Sequence, residues 1–332
     1  MTDETPELRI GLIGLGAMGR HHARVIRSTP GLRLVAVADP GGDRYGVAGD
    51  LPVLPDIQAI IDTGVDAVMV AVPTVLHEEV ALSLADAGVH AMVEKPIAHS
   101  VEAGEKVARA FEEAGLVGAV GYVERCNPAM IAMRERIASG VLGEVYQITT
   151  SRQGPFPERI NDVGVVKDLA THDVDLTPWL AGSRYASVTA HVTYRSGREH
   201  EDMLVASGRL ENGVIVNHLV NWLSPRKDRH CVVTGEKGAL VADTLTGDLT
   251  YYENGTIEAE WDALASFRGV AEGDVTRFAL HKVEPLAAEH ASFRDALRGD
   301  TSKIVPMSEG VETLRVVDAF LRSAREGVSI RL

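Results

Sequence analysis

Cysteine is scarce: Cys126 and Cys231 are the two in 332 residues, too few for a disulfide framework and at no zinc-ligand spacing. Both are expected as core thiols, and no metal is expected. Long apolar runs are missing too, since the densest stretch, 67–72, stops at Pro73, far short of the roughly 18 residues of a membrane span. Basic residues are the minority charge, with 33 Lys and Arg against 47 Asp and Glu. The formal net charge of -14 repels a phosphate backbone over most of the surface, which excludes a general nucleic-acid binder but leaves room for a local basic pocket. The acidic start, residues 1–7, has neither the basic nor the apolar part of a secretory leader, so the chain is read as cytoplasmic. Internal repeats and low-complexity linkers are absent. What is present, 45% apolar and 24% charged residues, describes an ordinary globular protein, and at about 150 residues per domain its length suggests two domains.

The two halves differ in period. Apolar runs at 8–14, 32–38, 66–72, 91–94 and 116–122 alternate with helix-like stretches at 17–28, 74–87 and 100–114. Continuous apolar strands between helices signify a parallel sheet covered on both faces, the doubly wound α/β class. After helices expected at 127–139 and 168–180, the period becomes two: Val188, Ala190, Val192 and Tyr194 alternate with Ser187, Thr189, His191 and Thr193. Similar segments at 203–210, 214–222, 230–234, 239–243 and 249–252 predict a large, mainly antiparallel sheet, and Val311, Leu314, Leu321 and Ala324 a closing helix. The expected organisation is a Rossmann domain over 1–122 and an α+β domain over 123–332.

Gly14-Leu15-Gly16-Ala17-Met18-Gly19 fits G-x-G-x-x-G and lies between a predicted strand and a predicted helix. The first glycine permits the tight turn, the second admits a pyrophosphate to the backbone, the third lets helix pack on strand, and the helix N-terminus offers N–H groups and positive dipole. Asp39 follows Gly19 by 20 residues, the spacing at which a carboxylate reaches a ribose 2'-hydroxyl. These features point to a dinucleotide, and Asp39 favours NAD over NADP.

Glu94-Lys95-Pro96 follows a predicted buried strand, and Ala71-Val72-Pro73-Thr74 with His77 closes the preceding one. Alone, the first tripeptide reads as the start of a helix with proline in its first turn. Asp168 and His172, four apart on a predicted helix, share one face; alone they read as a surface capping pair. His21 and His22 point differently on a helix and suggest no metal site.

The blocks GLGAMGRHHA from Gly14, AVPTVLH from Ala71, VEKP from Val93, VGYVERCNPA from Val120 and KDLATHDVDL from Lys167 together resemble the Gfo/Idh/MocA family over nearly the whole chain. The resemblance implies an NAD-dependent oxidoreductase with Lys95, Asp168 and His172 as its catalytic set. It implies cofactor contacts from Gly14, Gly16, Ala17, Met18, Gly19, Asp39, Ala71, Val72, Pro73, Thr74, His77, Glu94 and Lys95. Substrate contacts are implied from Tyr122, Glu124, Arg125, Asn127, Arg152, Lys167, Asp168 and His172. RQGPFPERINDVGVVKDLATHD from Arg152, HEDMLVASGRLENG from His200 and NWLSPRKDRHCVVTGEKGAL from Asn221 are similar to the branch of nucleotide-sugar 3-dehydrogenases. Tyr122, Cys126 and Lys167 depart from that branch, in which His, an aromatic and an apolar residue stand there. Arg152, Arg159, Arg226, Lys227 and Arg229 could meet a diphosphate. The expected substrate is thus a nucleotide sugar such as UDP-N-acetylglucosamine, with inositol or another free polyol as the alternative, and a non-catalytic dinucleotide-binding regulator as a third reading. The open face of the antiparallel sheet, by the same resemblance, implies a homodimer or homotetramer.

Overall fold

The structure, a computed structural model, describes residues 6–157, 163–255 and 272–332. β1 (Leu8–Ile13) leads to α1 (Ala17–Ser28), β2 (Leu32–Ala38), the short β3 (Val53–Leu54) and α2 (Ile57–Ile61). β4 (Ala67–Val70), α3 (His77–Asp86), β5 (His90–Glu94), α4 (Val101–Glu113) and β6 (Gly118–Gly121) follow. Next come α5 (Pro128–Ala138), β7 (Val145–Pro155), α6 (Thr171–Ala181), β8 (Tyr185–Thr193), β9 (Met203–Leu210), β10 (Ile215–Asn221) and β11 (Leu223–Gly235). β12 (Gly238–Asp243), β13 (Asp248–Asn254), β14 (Glu272–Arg277), α7 (Pro285–Leu297), α8 (Met307–Glu326) and β15 (Ile330–Arg331) complete the order.

Two compact units divide the chain: Met1–Val123 with Glu284–Arg315, and Glu124–Val283 with Val316–Leu332. The boundary expected after residue 122 therefore needs a correction, because residues 284–315 return to the first unit. Phe293 of α7 is buried on one face of the N-terminal sheet with Ile10, Leu12, Ile26 and Met92. Val311 and Leu314 of α8 are buried on the other with Val107, Phe111 and Val120. Each such side chain contributes about 1.5–3 kcal/mol when withdrawn from water, so the segment belongs to that core.

The first unit holds a six-stranded sheet in the order β3-β2-β1-β4-β5-β6, parallel throughout. β4 is Ala-Val-Met-Val with every residue buried, as a strand covered on both faces requires. Caps fix the helices: Ser100 accepts the N–H of Ala103 at 3.2 Å and starts α4 well past Lys95, so Glu94 ends β5 and Lys95-Pro96 begin a loop rather than a helix. The order reverses between β1 and β4, which opens a crevice at their carboxyl ends.

The second unit is a nine-stranded sheet in the order β14-β13-β12-β11-β7-β10-β9-β8-β15, antiparallel except where β7 runs parallel to β10. One face carries Ile148, Leu204, Val216, Val233 and Leu240 and packs on Met133, Leu176 and Phe320. On the other face Val205, Ile215, Leu219 and Tyr252 are exposed. The helix expected at 168–180 begins instead as a wide π-type turn, Val166–Ala170, before α6. Glu201 anchors that turn, its carboxylate accepting the N–H of Val166 at 3.0 Å and its carbonyl that of Val165 at 3.0 Å. Such insertions into helices occur often at functional sites.

Candidate active site

The glycine turn has the form a dinucleotide needs. Gly14 has φ 93°, a region L side chains avoid, and a Cβ there would lie 2.4 Å from the Ala71 carbonyl oxygen. A Cβ on Gly19 would lie 2.0 Å from the Gly14 carbonyl oxygen, so this residue sets how closely α1 approaches β1. Around Gly16 nothing lies within 4 Å of a Cβ position, which leaves the space a pyrophosphate would fill. No side chain caps α1, and the first-turn N–H groups of Ala17, Met18 and Gly19 have no acceptor within the helix. Asp39 ends β2 with its carboxylate tied to the turn, Oδ2 accepting the Leu15 N–H at 2.8 Å. Each carboxylate oxygen can accept a second hydrogen bond, as a ribose hydroxyl requires. These residues fit NAD, which supplies the hydride acceptor when bound.

Ala71, Val72, Pro73 and Thr74 follow β4 at the same edge, and His77 is buried behind them. Its Nδ1 lies 2.8 Å from the Pro96 carbonyl and its Nε2 3.0 Å from that of Val72. Both ring nitrogens thus face main chain, and His77 joins the loops after β4 and β5. Burial pulls its pKa down, against the raising effect of those carbonyls and of Glu94. Lys95 stands one residue past β5, and Glu94, at its end, is buried and bonded to His22 at 2.8 Å. Tyr122 is sunk in the core of the first unit.

In the second unit the π-type turn carries Asp168, buried, and α6 carries His172, half-buried, one residue past its start. Several expected substrate residues are engaged with the protein. Arg125 makes a two-point ion pair with Asp175, at 2.8 and 2.6 Å. Asn127 caps α5 through Ala129 N–H at 3.1 Å and donates to the Thr244 carbonyl at 3.0 Å. Arg152, buried, bonds Asp173 at 2.9 Å and Glu124 at 2.7 Å. Burial disfavours its charge, but Asp173 and Glu124 outweigh that and raise its pKa. Lys167 Nζ lies 3.6 Å from Asp318.

The basic residues divide similarly. Arg226 and Lys227 are exposed, and Arg226 lies 3.6 Å from Asp228. Arg229, half-buried, donates to the Gln153 carbonyl at 2.8 Å. Its pKa is lowered by burial and then by Arg152, while Asp173, Glu124 and Asp168 act in the opposite sense, so its charge is felt at Asp168. Arg159 lies outside the described residues. Cys126 and Cys231 are buried thiols. Sequence reasoning gave His22 no role and missed His290; the two meet at 2.9 Å. A histidine pair on a helix otherwise polar on one side signals only that one of the two turns inward.

A parallel sheet with a glycine turn at its switch point and an acidic residue ending β2 defines a nicotinamide-dinucleotide-binding dehydrogenase architecture. Residues 8–122 match the family model "Oxidoreductase family, NAD-binding Rossmann fold", and residues 130–241 match "GFO/IDH/MocA C-terminal domain". Inositol 2-dehydrogenase 2 of Saccharopolyspora erythraea is 33% identical over 96% of this chain and 94% of its own. UDP-N-acetylglucosamine 3-dehydrogenase of Acidithiobacillus ferrooxidans is 29% identical over 95% of this chain and 96% of its own. A solved structure of that enzyme covers 97% of this chain and 99% of its own, with TM-score 0.84 and 26% identity. scyllo-Inositol 2-dehydrogenase (NAD(+)) of Bacillus subtilis is 27% identical over 98% of this chain and 96% of its own. The chain belongs to the Gfo/Idh/MocA oxidoreductase family and is an NAD-dependent dehydrogenase acting on CH–OH groups. Among the described residues no helix is long and apolar enough to cross a membrane.

Proposed function

We propose that the protein oxidises a secondary ring hydroxyl of a nucleotide sugar, at C3 of a substrate such as UDP-N-acetylglucosamine. The observation that carries this reading is the cationic stretch of β11: Arg226 and Lys227 exposed, and Arg229 within electrostatic reach of Asp168, in a chain of net charge -14. A diphosphate explains a run of cations on this strand; a neutral polyol does not. The similarity to UDP-N-acetylglucosamine 3-dehydrogenase over nearly the whole chain supports the same reading.

Alcohol oxidation removes a hydride from the carbinol carbon as the hydroxyl proton departs, so a base with near-neutral pKa is required. His172 takes that proton in this reading. The Lys95 ammonium stabilises the developing alkoxide, and Asp168 orients one of the two. Lysine and histidine can exchange these roles without changing the net reaction. Arg125, Asn127 and Arg152, engaged with their own protein, shape the substrate side from behind. Exposed Val205, Ile215, Leu219 and Tyr252 on the open sheet face support a homodimer or a dimer of dimers, and light scattering that reports a monomer at micromolar concentration contradicts that assembly.

The experiment for substrate recognition is charge removal on β11. Arg226→Ala with Lys227→Ala should raise KM for UDP-N-acetylglucosamine about tenfold with kcat nearly unchanged, less than the roughly 1.5–3 kcal/mol of each charge-assisted bond because both side chains are exposed. An unchanged KM refutes the diphosphate reading. The second reading, an inositol dehydrogenase, is favoured by the 33% identity to inositol 2-dehydrogenase 2.

A further inference from the structure

Beneath the carboxyl edge of the parallel sheet, three buried titratable side chains from three elements form one hydrogen-bonded chain. His290 Nε2 of α7 lies 2.9 Å from His22 Nδ1 of α1, and His22 Nε2 lies 2.8 Å from Glu94 Oε1 at the end of β5. Both imidazoles are fully buried, and Glu94 is 9% exposed. The remaining ring nitrogen, His290 Nδ1, has no hydrogen-bond partner among the described residues.

That orphan sets the direction of the chain. A buried N–H without an acceptor is rarer and costlier than an unused lone pair, so His290 keeps its proton on Nε2 and donates to His22 Nδ1. His22 must then keep its own proton on Nε2 and donate to Glu94. Glu94 is left to accept, the role of a carboxylate. Its other oxygen accepts the backbone N–H of Lys95 at 3.2 Å, so the hydrogen-bonded carboxylate stands directly behind that residue.

The electrostatics agree with the geometry. Burial raises the Glu94 carboxyl, but the hydrogen bond from His22 and the Lys95 ammonium beside it hold it below its ordinary value. Burial holds His290 well below its own. His22 and Lys95 are the groups that act on Glu94, and His22 the one that acts on His290; Glu289, beside His290 on α7, is buried as well.

We propose that His22 and His290 are positioning residues for hydride transfer: donating in sequence, they hold Glu94 as a fixed carboxylate behind Lys95, and that counter-charge keeps the Lys95 ammonium in place at the sheet edge. The inference rests on the reading of Lys95 as the charge that meets the alkoxide. Neither histidine touches substrate. Their effect is exerted through Glu94.

The test measures kcat against pH for NAD reduction with UDP-N-acetylglucosamine and with myo-inositol, and NAD affinity by fluorescence. His22→Leu should lower kcat about tenfold or more while NAD Kd stays within about threefold. It should also bring in a loss of activity on the acid side, because Glu94 without its donor takes up a proton nearer neutrality. His22→Gln, whose amide still donates, should recover most of kcat and the original profile. His290→Leu should act in the same direction more weakly. Glu94→Gln should remove the acid limb and make His22→Leu silent when combined with it. A His22→Leu profile equal to that of the wild type overturns the proposal, as does a defect confined to KM or NAD binding. If His22→Leu does not fold, His290→Leu and Glu94→Gln decide the matter by the same profile. With neither sugar turned over, the readout is the urea midpoint against pH, where wild type should lose stability as pH falls through the Glu94 range while Glu94→Gln does not, and parallel curves overturn the proposal. Lys95→Ala separates the two levels. Wild-type turnover in that variant refutes the reading of Lys95, whereas an inactive Lys95→Ala with an unaltered His22→Leu profile refutes the positioning chain alone.

Discussion

The Asp39 carboxylate accepts the backbone N–H of Leu15 at 2.8 Å, which ties the end of β2 to the glycine turn. One side chain therefore shapes the turn, and in the proposed cofactor site the same carboxylate would accept from the adenosine ribose. A 2'-phosphate about 4 Å from Asp39 would be repelled by roughly 4 kcal/mol at an effective dielectric of 20, less here because Asp39 is half-exposed and Arg44 is exposed nearby in sequence. Asp39→Ala should weaken NAD binding about tenfold or more and narrow the preference for NAD over NADP. Titration of both dinucleotides checks this, and a wild-type preference for NADP contradicts it.

Two glycines of the turn should fail in different ways. Gly14→Ala meets the Ala71 carbonyl at 2.4 Å from a positive φ and should cost stability. Gly16→Val meets no protein atom within 4 Å of its Cβ, so it should fold normally and lose NAD. Denaturant midpoints set beside NAD affinities separate the two, and equal stability loss in both contradicts the account.

Lys95→Ala and His172→Ala should each reduce turnover by about two orders of magnitude or more, the scale of lost electrostatic or acid–base help. NAD binding should persist in both. Steady-state kinetics with parallel NAD titrations provide the check, and near-normal turnover in either variant removes that residue from the catalytic set.

His218 carries a pH signature of its own. It lies buried between Thr150 at 2.8 Å and the Tyr185 hydroxyl at 2.9 Å, and burial takes its pKa from 6.5 to about 4. Between those values the unfolded chain binds a proton that the folded chain refuses, so stability falls as pH drops through this window. About 3 kcal/mol should be lost by pH 4 from this residue, and His218→Gln should flatten that part of the curve. Urea midpoints from pH 7 to pH 4 test it, and equal slopes in both proteins contradict it.

Where side chains alternate or run on for packing reasons alone, the elements were legible in sequence: α1 spans the residues its pattern predicts, and β1, β2 and β9 lie where apolar residues recur. β7, the central strand of the second sheet, was missed because its buried face is Ile148, Thr150, Arg152 and Gly154. Those polar side chains are tolerated inside because His218, Asp173 and Glu124 satisfy them, which no periodicity reveals. α7 was missed as well, and with it His290, whose partner His22 is 268 residues away in sequence. The glycine turn and Asp39 belong to one motif of local spacing, whereas Lys95, Asp168 and His172 stood out only through the family resemblance. The engagement of Arg125, Asn127 and Arg152 by the protein itself was not, since Asp175, Thr244 and Asp173 become neighbours only on folding.

The central claim is oxidation at one ring carbon of a nucleotide sugar. UDP-N-acetylglucosamine carrying deuterium at C3, incubated with the protein and NAD, should yield reduced nicotinamide containing the label, faster than myo-inositol or free glucose at equal concentration yields unlabelled product. Turnover of inositol or glucose with none of the nucleotide sugar, or unlabelled reduced nicotinamide from the deuterated substrate, would contradict it.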